Sequence, residues 1–250
     1  MKAAVLTGPE TFEIQELPSP TLNAGEVLVR VKACAVCGTD LRIYRYGHGK
    51  IRYPAVIGHE IVGIVERQAR GAPGAGEPVP EGTWVMVTPG ISCGTCDNCL
   101  RGRFCTNKST IGYHYPGGFA EYLVIPAHAA TSNLLPLPDP LPPDQEAEDY
   151  TLAEPLACAL NGLEQLGELP FAGNALIVGS GAIGVMMARL LLKRGIEQLA
   201  IADISAEKLR IACELLPAHV AGIDSRINDL VVQTGKITKG NGFDAVIVAC

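Results

Sequence analysis

A glycine-rich turn between a buried strand and a helix constrains the fold of this chain more than any other feature. The apolar run 175–178 is typical of a strand buried on both faces, and the apolar run 185–192 beyond the turn has the length and character of a helix. A second buried run, 199–202, follows and ends at Asp203. Strand, turn, helix and strand in this order predict parallel strands joined by a helical crossover. The six residues of the turn are Gly179, Ser180, Gly181, Ala182, Ile183 and Gly184.

The spacing of the three glycines in this turn predicts a dinucleotide site. Gly179 permits the tight turn, Gly181 lets the backbone approach a pyrophosphate, and Gly184 allows close packing of helix on strand. An acidic residue roughly 20 positions further on, here Asp203, accepts hydrogen bonds from the adenosine ribose and repels a 2′-phosphate. We therefore predict that residues 151–250 bind NAD in preference to NADP.

A group of cysteines forms the strongest local signal for a metal. Four closely spaced thiols, separated by glycine and charged residues, do not form a core stripe, and they can close a tetrahedral shell around a structural zinc. An iron–sulfur cluster is the rival interpretation, although the bacterial spacing has three residues before the last cysteine and a proline after it. Disulfide bonds among these cysteines are the third interpretation. The four residues are Cys93, Cys96, Cys99 and Cys105.

Dispersed polar residues indicate a second metal site, of the catalytic kind. Cys37, His59 and Glu60 supply the thiolate, imidazole and carboxylate that zinc accepts, with an open position left for water or an alcohol. Taken singly, each residue has a plainer interpretation, such as a buried cysteine or a satisfied buried histidine. A zinc-protease helix is disfavoured because Gly63 stands where its second histidine would be.

Composition restricts the partners and the location of the chain. The formal net charge is −6, and no run of Lys and Arg interleaved with aromatic residues occurs, so we expect no nucleic-acid partner. The N-terminus lacks the apolar length of a signal peptide, and glycines and an arginine interrupt the most apolar stretch, so we expect a cytoplasmic chain without a membrane span. Short strands separated by turns occupy residues 1–150, which predicts a β domain before the α/β region.

With these motifs located, the chain resembles the zinc-dependent medium-chain alcohol dehydrogenases, closest to their polyol and threonine dehydrogenase branch. The resemblance implies an α/β protein, with a GroES-like β-barrel domain over residues 1–150 that carries both zinc sites and an incomplete Rossmann domain over 151–250. It implies that Cys37 and His59 bind the catalytic zinc and that Glu60 is a ligand or an exchangeable neighbour. It also implies that Glu154 is a further carboxylate ligand, although this residue could instead only complement a helix dipole. Thr39 matches the hydroxyl that passes on the substrate proton.

Three departures from the family pattern accompany this resemblance. The chain has five residues between its third and fourth clustered cysteines, fewer than is usual in the family. Arg42 stands where many members have a histidine in the proton relay, and a guanidinium cannot accept a proton, so release would pass through water or Glu60. The chain is also shorter than its family, which suggests that part of the nicotinamide pocket is missing.

The sequence therefore predicts an oxidoreductase that transfers hydride from a secondary alcohol, such as a polyol, a sugar or an amino alcohol, to NAD. Catalytic and structural zinc would assist it, and a homo-oligomer is possible. The alternative is a catalytically silent zinc-binding fragment of such an enzyme.

Overall fold

The computed structural model describes residues 1–70, 79–141, 146–167 and 173–250, and these form two compact units. The first unit is Met1–Glu154 and the second is Pro155–Cys250. The division lies in the first turn of a helix, a few residues beyond the boundary proposed from the sequence.

The first unit is built mainly from antiparallel strands. Five of them form one sheet in the order β8-β3-β4-β5-β9, and the pairs β1-β2 and β6-β7 form two-stranded sheets. The α-helices among the described residues of this unit are α1 (Gly38–Tyr46) and α2 (Asp97–Leu100). The strands described there are β1 (Lys2–Gly8), β2 (Thr11–Glu16), β3 (Val27–Ala35), β4 (Glu60–Gln68), β5 (Trp84–Val87), β6 (Gly90–Ile91), β7 (Ser109–Thr110), β8 (Tyr122–Ile125) and β9 (Leu134–Pro136).

The five-stranded sheet buries one apolar core. Val29, Val65 and Ile125 are almost completely buried there and come from three neighbouring strands, β3, β4 and β8. A smaller cluster around Leu6 and Ile57 packs beneath α1, which contributes Ile43. The two clusters fix the sheet and α1 as the frame that carries the residues after Cys37 and before Glu60.

The second unit is a parallel four-stranded sheet with helices packed against it. The strand order is β12-β11-β10-β13, and all three neighbouring pairs are parallel. Among the described residues, no helix has the length and apolar character needed to cross a membrane. The strands are β10 (Asn174–Val178), β11 (Gln198–Asp203), β12 (Ala221–Asp224) and β13 (Ala245–Val248), and the helices are α3 (Ala153–Glu164), α4 (Ala182–Lys193), α5 (Ala206–Leu215) and α6 (Leu230–Ile237).

The structure differs from the sequence patterns around the dispersed polar residues. Residues 55–66 have the sequence pattern of one strand interrupted by glycines, but β4 begins only at Glu60, and the segment after Cys37 forms the helix α1. Gly58 explains the late start of β4. It has a φ of 96°, and a Cβ there would lie 2.6 Å from the Phe119 ring, so the chain bends at the close approach that a glycine permits.

Two elements of the second unit escape prediction from the sequence. Strand β12 is four residues long and contains Gly222, and α6 contains Gly235 and β-branched residues. Both have weak intrinsic propensity, so their conformation comes from packing against the rest of the unit.

The glycine turn yields a stability test. A Cβ at Gly184 would collide with the carbonyl oxygen of Gly179, whereas a Cβ at Gly181 would meet nothing within 4 Å. We expect Gly184→Ala to lower the free energy of unfolding by roughly 1–3 kcal/mol, the usual cost of overpacking. Urea unfolding followed by circular dichroism measures this, with Gly181→Ala as the matched control. Equal stability of the two variants would contradict the packing assigned to the turn.

Candidate metal centres and dinucleotide turn

Cys37 sits at the start of α1, where the helix itself orients the thiol. It is the N-cap residue, and its Sγ accepts a hydrogen bond from the Thr39 N–H at 3.5 Å. In return, the Asp40 carboxylate accepts from the Cys37 N–H at 2.9 Å, which completes a capping box. Hydrogen bonding from His59, and then from Thr39, lowers the pKa of the Cys37 thiol despite its partial burial. The helix start therefore presents a thiol that ionises readily.

His59 is buried beside the other oxygen of the same carboxylate. Its Nδ1 lies 3.4 Å from Asp40 Oδ1, and both side chains are nearly inaccessible to solvent. Neither atom has a hydrogen bond of good geometry to any described residue. Burial alone would lower the pKa of His59, but Asp40 and Cys37 outweigh it and raise that pKa to about 10. This pair has the arrangement in which a carboxylate orients a metal-binding histidine.

Glu60 completes a group of three potential ligands. One ligand atom from each of Cys37, His59 and Glu60 lies within 4.8 Å of the others. Burial raises the pKa of Glu60, the positive charge of His59 lowers it, and the negative charge of Glu154 raises it again. Buried groups of opposite charge with unsatisfied atoms fit a divalent cation, which would pair with the thiolate and carboxylate together.

Glu154 and Thr39, the other two residues proposed for this site, take different places. Glu154 lies close enough for its charge to affect Glu60, but the three-residue group defined by mutual distance does not include it. Thr39 is half-buried, its backbone N–H donates to Cys37 Sγ at 3.5 Å, and its hydroxyl contributes to the lowered pKa of the Cys37 thiol. Its hydroxyl thus lies beside the thiol that the site would use as a ligand.

Asp40 and Tyr113 also lie at this candidate site, although the sequence patterns did not single them out. The Tyr113 ring lies 6.1 Å from the His59 ring and 5.1 Å from the His48 ring, centroid to centroid. Burial, followed by the charges of Asp40 and Cys37, raises the pKa of Tyr113. For Asp40 a signal was available, since an acidic residue three positions after an N-cap is typical of a capping box.

The four clustered thiols have the dimensions of a zinc shell. The Sγ–Sγ distances are 3.9 Å for Cys93–Cys99, 3.5 Å for Cys96–Cys99, 4.0 Å for Cys96–Cys105 and 3.5 Å for Cys93–Cys105. Zn–S bonds of about 2.3 Å in a tetrahedron require sulfur atoms about 3.8 Å apart. A disulfide requires about 2 Å, so these four thiols are not paired with one another.

The backbone around these thiols also favours thiolates. The Cys93 and Asn107 N–H groups each donate to Cys105 Sγ at 3.3 Å. Backbone N–H groups lower the pKa of Cys93 and Cys96, while burial and neighbouring thiols raise the pKa of Cys99. Four thiols this close do not all ionise unless a cation joins them, so the donor set fits a structural zinc.

The glycine turn of the second unit is shaped for a dinucleotide. Gly179 has a φ of 110°, and a Cβ there would lie 2.6 Å from the carbonyl oxygen of Ala249. Gly181 is the N-cap of α4, so the last three residues of the turn, 182–184, form the first turn of the helix, where backbone N–H groups are free of helical partners. Open space at the Gly181 Cβ position would admit a phosphate group to this helix start.

Asp203 is the last residue of β11 and lies beside this turn, where three hydrogen bonds fix its carboxylate. Its Oδ2 accepts from the Ser180 N–H at 2.7 Å and from Ser180 Oγ at 2.9 Å, and its Oδ1 accepts from the Ser205 N–H at 2.7 Å. Burial alone would raise the pKa of Asp203, but these hydrogen bonds lower it. The residue is thus a fixed anion, as a ribose-binding carboxylate must be.

Comparisons with known proteins place the chain among dehydrogenases. The model of the alcohol dehydrogenase GroES-like domain matches residues 23–139. The chain is 33% identical to an uncharacterized zinc-type alcohol dehydrogenase-like protein of Haemophilus influenzae over 100% of the chain and 69% of that protein. It is 33% identical to the L-threonine 3-dehydrogenase of Pyrococcus furiosus, covering 99% of the chain and 68% of the relative. It is 34% identical to the D-altritol 5-dehydrogenase of Agrobacterium fabrum, covering 85% and 61%. The chain thus spans 61 to 69% of the length of these relatives.

Solved structures that are similar to this chain are also those of dehydrogenases. Alcohol dehydrogenase TADH from Thermus sp. ATN1 superposes with a TM-score of 0.82 at 30% identity, over 100% of this chain and 70% of the other. The rspB alcohol dehydrogenase from Escherichia coli CFT073, solved with NADH, gives 0.80 at 30%, covering 100% and 69%. A zinc-binding dehydrogenase from Sinorhizobium meliloti 1021, solved with NADP, gives 0.81 at 29%, covering 100% and 69%.

The contact between Asp40 and His59 can be tested through metal affinity. Asp40→Asn removes the negative charge that faces His59 Nδ1 while preserving the size of the side chain. We expect zinc affinity at this site to fall about 10- to 100-fold, the usual effect of removing a partner that orients a ligand. Chelator competition measures it, with the exposed Glu148→Gln as the matched control. Unchanged affinity would show that Asp40 does not support the metal site.

Proposed function

This chain belongs to the zinc-type medium-chain alcohol dehydrogenase family, and we propose that it transfers hydride from a secondary alcohol to NAD. The observation that carries the proposal is the convergence of Cys37, His59 and Glu60 within 4.8 Å of one another. The reaction converts the alcohol and NAD⁺ into a carbonyl compound, NADH and a proton. Names of relatives support a polyol, sugar or amino alcohol as substrate, since one acts on altritol and another on threonine.

In this proposal each candidate site residue of the first unit has a definite role. Zinc supplies a Lewis acid that lowers the pKa of a bound hydroxyl, and nicotinamide supplies the hydride acceptor. Cys37 and His59 would hold the metal, and Asp40 would hold His59 in the orientation that binding needs. Glu60 would be either a third ligand or the nearby carboxylate that exchanges with substrate. Glu154 would act as a charged neighbour or as an additional ligand.

The proton released from the alcohol needs an acceptor near the thiol. The Thr39 hydroxyl lies beside Cys37 and can both accept and donate a hydrogen bond, so it suits a relay. Arg42, further along α1, is exposed and permanently charged, so it cannot continue that relay. Water or Glu60 would take the proton onward.

The second unit would hold the adenosine half of the cofactor. Gly181 and the start of α4 would receive the pyrophosphate, and Asp203 would accept hydrogen bonds from the ribose hydroxyls. A fixed negative charge at Asp203 disfavours a 2′-phosphate, which supports NAD over NADP. Similar structures have been solved with each cofactor, NADH in one and NADP in another, so the choice rests on Asp203 of this chain.

Metal content and turnover test the proposed function together. We expect two zinc ions per chain, one at Cys37 and His59 and one at the four clustered cysteines. Cys37→Ser should leave one zinc and remove NADH formation with a panel of polyols, sugars and amino alcohols, because the substrate site loses its metal ligand. Zinc is measured by mass spectrometry and NADH by its absorbance.

Matched variants make this experiment decisive. Cys213→Ser alters an exposed free cysteine of the second unit and should keep both zinc ions and full turnover. Cys99→Ser should remove the other zinc. Two bound zinc ions without NADH formation from any substrate would contradict the dehydrogenase proposal and favour a silent zinc-binding chain. A single zinc that Cys37→Ser leaves in place would remove the proposed catalytic site.

Cofactor preference provides a separate prediction. We expect the wild type to bind ADP-ribose more tightly than its 2′-phosphate, and Asp203→Asn to narrow this preference about tenfold or more, because a charge-assisted hydrogen bond contributes roughly 1.5–3 kcal/mol. Isothermal titration calorimetry measures both ligands. Asp224→Asn, at the end of the neighbouring strand β12, is the control. A preference for the 2′-phosphate in the wild type would overturn the assignment of NAD.

A further inference from the structure

Positive charge is concentrated on one short segment of this acidic chain. Residues 41–58, between Asp40 and His59, contain four cationic residues and no acidic residue, whereas the whole chain has 26 acidic and 20 basic side chains. The cationic residues are Arg42, Arg45, Lys50 and Arg52. The segment therefore has a local charge opposite to that of the protein.

None of these four cations forms an ion pair with a residue that the structure describes. Elsewhere in the described chain, arginines pair with carboxylates, as in Arg30–Glu66 and Arg226–Asp224. Within the same described ranges, no ion pair involves a cation of residues 41–58. Unpaired cations beside a cavity attract an anionic ligand, because the field there is not cancelled by nearby carboxylates.

Two of these cations line a cavity of about 500 Å³. Lys50 and Arg52 are the charged residues among those that line it, and no acidic residue does. His114 also lines the cavity, and its Nδ1 accepts from the Thr110 N–H at 3.1 Å. A histidine that accepts at Nδ1 carries its proton at Nε2, so it offers a further donor.

Tyr113 connects this cavity to the candidate metal site. It lines the cavity, and its ring lies 6.1 Å from the His59 ring. Val56, another lining residue, is three positions before His59 in the chain. The cavity wall and the metal site thus share one aromatic side chain and one short stretch of backbone.

We propose that this cavity binds the phosphate of a phosphorylated alcohol, so that the substrate is a phosphate monoester of a polyol or sugar and not a neutral polyol. The inference rests on the proposed function and specifies its substrate class. A phosphate monoester carries close to two negative charges at neutral pH, which Lys50 and Arg52 match. Arg52 offers the forked donors that suit phosphate oxygens, and Lys50 offers a mobile point charge. The hydroxyl to be oxidised would lie on the Tyr113 side of the cavity.

Turnover with paired substrates tests this substrate class. Hexitols, the corresponding hexitol phosphates and the corresponding aldonates are compared on the zinc-loaded chain with NAD. We expect kcat/KM for at least one hexitol phosphate to exceed that for its hexitol at least about tenfold, as one charge-assisted contact alone would provide. The double variant Lys50→Ala/Arg52→Ala should lower kcat/KM for the hexitol phosphate to about that for the hexitol, mainly by raising KM for the phosphate.

A matched variant and a binding measurement separate the outcomes. Lys32→Ala/Arg70→Ala removes two exposed cations outside the cavity lining and should keep the preference, which excludes an effect of net charge alone. Equal turnover of hexitols and their phosphates would overturn the inference while the dehydrogenase proposal stands. A stronger preference for aldonates would overturn the phosphate assignment. If no alcohol is oxidised, the dehydrogenase proposal fails, and calorimetric binding of hexitol phosphates to the wild type and the double variant still decides the inference.

Discussion

The first unit depends on a close backbone crossing at Gly58. The Gly118 N–H donates to the Gly58 carbonyl at 2.9 Å, and a Cβ at Gly112 would lie 3.0 Å from the same oxygen. A Cβ at Gly117 would collide with it. Because two segments cross without side chains between them, His59 and Glu60 are fixed immediately beyond the crossing, and Tyr113 is fixed beside them. The position of these two proposed metal ligands is thus set by the absence of Cβ atoms in a distant part of the sequence.

Asp40 joins this crossing to α1. One of its oxygens completes the capping box at Cys37, and the other faces His59. A single buried carboxylate therefore couples the orientation of the thiol to that of the imidazole. Without this carboxylate, no shared contact would orient Cys37 and His59 relative to each other. Asp40 would thus support the proposed site although it is not one of the proposed ligands.

The sequence and the structure agree best where the determining contacts are local. The turn from Gly179 to Gly184, the strand before it and Asp203 lie within one short stretch, and strand, turn, helix and strand appear as predicted. The zinc-type family and the α/β fold with a GroES-like domain are confirmed by the comparisons. The roles of individual site residues remain predictions, since Cys37 and His59 are brought together by contacts that no local pattern reports.

Two parts of the structure do not follow from hydrophobic periodicity, for identifiable physical reasons. Helix α1 follows Cys37 because a capping box and the buried Ile43 stabilise it, and neither effect is visible in hydrophobic periodicity alone. The cationic cavity combines residues from β1 and β2, from the segment before His59 and from the loop around Tyr113. The excess of cationic residues between Asp40 and His59 is visible in the sequence. Whether these cations line a cavity depends on which other residues the fold brings next to them.

The two units offer different groups for binding an anion. The glycine turn can receive a pyrophosphate with backbone N–H groups alone, so the second unit needs no cation there and can keep Asp203 as a fixed anion. In the first unit, the N-terminus of α1, the helix that begins just before the cationic segment, is occupied by its own capping box. An anionic group bound in the first unit therefore has to be neutralised by side chains, and Lys50 and Arg52 are the ones that the cavity provides.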